Sequence, residues 1–134
     1  MDPKQEVRLT WQKEERFTGT VGGVPVVLDG SSDQDLSPTQ ALAGGLAACM
    51  AIDVAMILEK GRQPLEGLEV HMTGARAEEP PRRFVSFHCH FRVTGGVDPA
   101  RVERAIELSR EKYCSVYHSL KDDLVFETSS DVVD

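Results

Sequence analysis

Three cysteines, Cys49, Cys89 and Cys114, are the side chains in this 134-residue sequence best suited to chemistry. A thiolate is a nucleophile and a metal ligand, and local charge decides how readily it forms. The three are far apart, odd in number and without a Cys-x-x-Cys pair. That excludes the pattern of a secreted disulfide framework and the spacing of a four-ligand zinc site. Cys49 lies in Ala47-Ala48-Cys49-Met50-Ala51-Ile52-Asp53. On a helix Asp53 shares its face. An ionised Asp53 disfavours a neighbouring thiolate, whereas an Arg or Lys held by Asp53 favours one. The plain alternative is a small core thiol.

Cys114 lies in Glu111-Lys112-Tyr113-Cys114-Ser115-Val116-Tyr117-His118. A continued helix would put it on the polar side with Glu103, Glu107 and Arg110, an odd place for an inert thiol. His118 is four residues on, and either His118 or Lys112 nearby would lower the thiol pKa. The competing reading of His118 is an exposed imidazole. Cys89 alternates with Phe87 and Phe91 and reads as structural. In His88-Cys89-His90, strand alternation turns the two imidazoles away from the thiol, which spoils a three-ligand site. No metal and no cofactor are expected. Phosphate loops, dinucleotide fingerprints and Gly-x-Ser-x-Gly elbows are missing from the sequence.

The elements that must position these groups follow from periodicity and punctuation. Residues 6–12, 15–21 and 24–28 have strand character, with Gly22-Gly23 as a hairpin turn. Residues 29–36 read as a loop. Ser37-Pro38 opens a helix that runs to about Lys60, with Gly61 as its stop. This helix is apolar on nearly all sides before Asp53, so we expect it to be central and covered. Residues 66–77 and 83–94 are two more strands joined by a Pro80-Pro81 turn. Asp98-Pro99 opens a second helix with Val102, Ile106, Ser109 and Tyr113 on its inner stripe, and residues 123–128 form a last strand. The order βββ-α-ββ-α-β indicates an α+β fold, with one domain spanning residues 1–134.

Composition narrows the partners. The net charge of -7 argues against nucleic acid and anionic membrane surfaces. The longest uncharged run, Leu36 to Ile52, is rich in Ala and Gly and suits a core helix better than a membrane span. The opening residues, Met1 to Glu6, lack the basic-then-apolar pattern of an export signal, so a cytoplasmic location is expected.

At these residues the chain resembles the OsmC/Ohr family, the osmotically inducible protein C and organic hydroperoxide resistance group. The matching features are a central helix opening Ser37-Pro38, a Cys eleven residues after that Pro, and a second Cys near the end of the later helix. The resemblance covers nearly the whole chain. It implies a long central helix packed on antiparallel sheet and an intertwined homodimer with sites at the subunit interface. It also implies a peroxidase cycle in which Cys49 attacks a hydroperoxide and Cys114 resolves the sulfenic acid as a disulfide. A dithiol reductant then reopens that disulfide. Family peroxidases usually carry Glu one residue after the Pro, holding an Arg from the early strands. Here Thr39 and Gln40 stand there, and the early strands offer Arg8 and Arg16 outside the usual Gly-Gly-Arg setting. Arg82 and Arg83 are further candidates for the missing cation. The pattern is closer to a less characterised branch.

The expected function is therefore a cofactor-free thiol peroxidase acting on organic or fatty-acid hydroperoxides. Cys49 and Cys114 would be catalytic, with Asp53, Thr39, Gln40 and His118 supporting. The alternative is a non-enzymatic thiol sensor or a binding protein for a small apolar or electrophilic ligand.

Overall fold

Gly22 and Gly23 adopt φ angles of 57° and 82°, the left-handed pair that a two-residue hairpin turn requires. This turn organises the first of two compact units in the computed structural model, which describes residues 5–134. The reading of an absent export signal falls partly on residues 1–4, outside the described residues.

In the first unit, β1 (Val7–Lys13), β2 (Arg16–Val21) and β3 (Val24–Asp29) form an antiparallel meander in the order β1-β2-β3. Register lines up three rows across it: Val7-Val21-Val24, Leu9-Gly19-Val26 and Trp11-Phe17-Leu28. Directly paired residues share a face, so these rows make one apolar surface. It remains open, with Trp11 62% and Val24 65% exposed. Gly19 in the middle row is sterically required: a Cβ there would sit 1.9 Å from the Arg8 carbonyl oxygen. The following loop is tied by Arg16, which donates to Asp35 at 2.6 Å and lies 3.7 Å from Asp29.

Helix α1 (Pro38–Lys60) starts with a reciprocal cap. The Gln40 N–H donates to Ser37 Oγ, and the Ser37 N–H donates to Gln40 Oε1, at 3.2 and 3.0 Å. In the second unit α1 buries Leu46, Met50, Val54 and Leu58, a single stripe at i, i+4 spacing. Leu42, Ile52 and Met56 are exposed. The expectation of a helix covered on all sides thus fails within the chain, because only one stripe finds cover here. By length and composition α1 could cross a membrane, yet its buried stripe serves a protein core.

The second sheet has the order β4-β5-β6, from β4 (Gly67–Arg76), β5 (Phe84–Thr94) and β6 (Val125–Val133). Phe87, Cys89, Phe91 and Val93 alternate inward as expected and are buried. β6 pairs in parallel with β5, so the sheet is mixed and not antiparallel throughout. The thirty residues between those strands supply the crossover that parallel pairing needs. That crossover begins with α2 (Pro99–Leu108), capped by the Asp98 carboxylate, which accepts from the Ala100 N–H. A π-helical turn, Ser109–Tyr113, follows, and then the four-residue α3 (Ser115–His118). The core joins the α1 stripe to Val97, Val102, Ala105, Ile106 and Phe126.

Candidate functional site

Two short-range features of the second unit build the site. α1 carries Cys49 and Asp53 one helical turn apart, on one face. The π turn then corrects the register at the end of α2. The Cys114 N–H donates to the Ser109 carbonyl at 2.8 Å, a five-residue step in place of four. The extra residue rotates the chain, so Tyr113, expected on the inner stripe, is 57% exposed. Cys114, expected on the polar side if the helix continued, is fully buried for the same reason.

Cys49 Sγ, Cys114 Sγ and a carboxylate oxygen of Asp53 all lie within 4.8 Å of one another. Cys49 is half-buried, and its sulfur is 4.0 Å from Ser115 Oγ. Asp53 Oδ2 accepts from Ser109 Oγ at 2.7 Å. Cys114 Sγ accepts from the Tyr117 N–H at 3.3 Å. Burial pushes the Cys114 thiol up to about 11; the Tyr117 N–H opposes this, while Cys49 and the Asp53 charge add to it. Asp53 also lines a cavity of ≈ 410 Å³ with Met56, Ile57, Lys60 and Tyr113.

The other sequence candidates make contacts of their own. Thr39 lies 3.4 Å from Ser37 Oγ at the start of α1, and Gln40 completes the helix cap. The His118 ring is exposed and edge-on to Tyr117, with centroids 5.5 Å apart. Arg8 pairs with Glu6, Arg16 with Asp35, and Arg83 with Asp123. Cys89 faces the core, and burial raises its pKa to about 11, as suits an inert thiol. His88 and His90 both reach Ser129 Oγ, and His90 Nε2 lies 2.6 Å from Asp131 on the outer face of the second sheet. Ser109 and Ser115 are the site neighbours that sequence reasoning missed. For Ser109 a signal existed, a hydroxyl on an otherwise apolar stripe.

The family profile of OsmC-like protein matches residues 30–129. The chain belongs to the OsmC-like family. It is 42% identical over 114 residues to Protein YhfA of Escherichia coli K12, covering 83% of this chain and 85% of that protein. A hypothetical protein from Aquifex aeolicus VF5 shares 27% identity at a TM-score of 0.90, covering 100% of this chain and 99% of that one. An organic hydroperoxide resistance protein OsmC from Legionella pneumophila shares the fold at a TM-score of 0.74 and 15% identity, covering 96% and 97%. These likenesses bear out the α+β OsmC-like fold and its element order. Hydroperoxide resistance proteins are among this family's members, and the two candidate cysteines lie near each other in this chain.

Proposed function

We propose that this OsmC-like chain is a thiol-dependent hydroperoxide reductase acting on organic or fatty-acid hydroperoxides in the cytoplasm. The observation carrying this reading is the approach of Cys49 and Cys114 to within 4.8 Å. A disulfide spans only about 2 Å, so a modest side-chain movement would complete it. Cys49, the more accessible thiol, attacks the peroxide as thiolate. An S–O bond forms, the O–O bond breaks, and the alcohol leaves after taking up a proton. Cys114 then attacks the Cys49 sulfenic acid; the S–S bond forms and water leaves. Burial, with the Asp53 charge adding to it, keeps Cys114 protonated until that step, and Asp53 relays the proton to the leaving hydroxide. A dithiol reductant returns both cysteines to thiols and becomes a disulfide itself.

Within this reading residues 1–134 act as one domain, and the protein works as a homodimer. The open apolar face of the first sheet, with Val7, Leu9 and Trp11, supports a second copy as its cover. The test is consumption of cumene hydroperoxide with dithiothreitol as reductant. Turnover should fall to background in Cys49→Ser. Equal, slow consumption by wild type and variant rejects the enzyme.

One observation favours a second reading, a non-enzymatic thiol sensor or ligand-binding protein. Arg8, Arg16 and Arg83 all spend their guanidinium groups on carboxylates. A Cys49 without a cation would be a weak nucleophile. Intact mass after mild peroxide separates the two. Rapid loss of two hydrogens marks the Cys49–Cys114 disulfide, whereas a lasting adduct on one cysteine marks a sensor.

A further inference from the structure

The cluster that supports disulfide chemistry also has the composition of a metal site. Two thiols and a carboxylate converge from two separate stretches of chain, within 4.8 Å of one another. Tetrahedral zinc, with bonds of about 2.3 Å to sulfur and 2.1 Å to oxygen, places its ligand atoms roughly 3.5–4 Å apart. The observed cluster is therefore within about an ångström of closing on a cation. Cys49 and Asp53 supply two ligands from one helix face, the i, i+4 arrangement that helical metal motifs use. The π turn supplies the third by turning Cys114 inward. The linear spacing hides the site, because Cys114 lies far along the chain from the Cys49–Asp53 pair.

The surroundings support the same conclusion. Ligating carboxylates are commonly held by an outer hydrogen bond that fixes their orientation. The buried Ser109 hydroxyl does this to Asp53 Oδ2 and leaves the second oxygen for a cation. The Tyr117 N–H donates to Cys114 Sγ, an outer hydrogen bond that orients the sulfur. Cys49 is not sealed in, so an ion has a route to the sulfur. Three protein ligands leave the fourth tetrahedral position to water.

We propose that Cys49, Asp53 and Cys114 form a three-ligand site for a thiophilic divalent cation of the zinc class, which holds both thiols reduced and blocks their oxidation. Binding releases one proton from each thiol and transfers no electrons. The site itself is independent of the peroxidase reading; its inhibitory consequence rests on that reading. An ion bridging the two sulfurs occupies both the nucleophile and the resolving thiol, so peroxide finds neither.

The test uses the full chain, reduced and stripped with a chelator, titrated with Co²⁺ as a spectroscopic stand-in for Zn²⁺. One equivalent per chain should produce a thiolate-to-cobalt charge-transfer band. The band should disappear in Cys49→Ser and in Cys114→Ser. Asp53→Ala, and Ser109→Ala through the outer hydrogen bond, should each weaken cobalt binding by about tenfold or more. Circular dichroism checks folding, and the two milder variants carry the test if Cys114→Ser does not fold. Absence of the band overturns the site. So does a band of undiminished affinity in Asp53→Ala, or one surviving in Cys49→Ser. Cobalt at the sheet histidines would give no thiolate band and would count against the proposal. Zn²⁺ should suppress cumene hydroperoxide turnover and a chelator should restore it. A band with unimpeded turnover refutes the inhibition. A band in a protein with no turnover, even when stripped of metal, keeps the site and removes the peroxidase reading instead. Turnover without a band does the reverse.

Discussion

The two three-stranded sheets solve the same problem in opposite ways. In the second sheet, Phe87, Cys89, Phe91 and Val93 point inward and are buried. Its other face carries His90, Ser129, Asp131 and Arg92, tied together by hydrogen bonds and an ion pair. The first sheet also has an apolar face, built of three cross-strand rows, yet Val7, Leu9 and Trp11 remain exposed. Alternation in a strand says which residues share a face; it does not say what covers that face. The second sheet is finished by its own chain. The first presents a surface that a second copy would finish in the dimer we propose.

Large-to-small substitution is the strongest way to break this contrast. Phe91→Ala removes a fully buried ring, and such changes cost about 3–5 kcal/mol. The loss should appear in denaturant melts as a lower midpoint at every protein concentration. Trp11→Ala on the open face should instead reduce the concentration dependence that a dimer gives the midpoint, because it weakens association and not a core. If both variants lose stability equally in dilute monomer, the contrast between the sheets is wrong.

How much of this was legible beforehand depended on range. The hairpin at Gly22-Gly23, the Ser37 and Asp98 caps and the inward row of the fifth strand follow from local sequence chemistry, and the structure bears them out. Gln40 stands three residues after Ser37, a capping-box pattern visible in the sequence. The π turn was not legible. One inserted residue leaves composition unchanged while moving Tyr113 outward and Cys114 inward, and a strict 3.6-residue period cannot register it. The parallel pairing of β6 depends on a thirty-residue return, which no local pattern encodes. Within the candidate site, the Cys49–Asp53 spacing was readable on one helix. The meeting with Cys114 and Ser109 belongs to tertiary structure.

One buried group in each unit should respond to pH with opposite sign. Burial raises the folded pKa of Cys89 to about 11. Its native state then holds a proton that the unfolded chain releases near pH 9, so stability is full below that value. It falls as pH rises toward 11, by about 2–3 kcal/mol for a thiol of this kind. Denaturant melts across this range should show the loss, and Cys89→Ala should remove its share. Asp29 in the first unit has the opposite sign. The Ser31 N–H and hydroxyl hold its carboxyl below the ordinary range, against the effect of burial. Its contribution is present above the usual carboxylate pKa and is lost as pH falls through the lowered value. Asp29→Asn should remove its share of the acid limb, with that of Asp131 remaining, and leave the alkaline limb alone. A variant that moves both limbs would mean that the two units do not titrate separately.

The smallest expected effect tests where Gln40 belongs. Its side chain accepts from the Ser37 N–H while its own N–H donates to Ser37 Oγ. A structural cap of this kind is worth about 1 kcal/mol, so Ser37→Ala should lower stability by about that amount. Gln40→Ala removes the other arm of the box and should cost no more, and Gln40→Glu should restore that arm. Peroxide turnover per folded molecule should be unchanged in all three if the cap is the whole of Gln40's work. A fall in turnover in Gln40→Ala without a matching loss of stability would return this residue to the candidate site. The start of α1 would then contribute to the chemistry as well as to the helix.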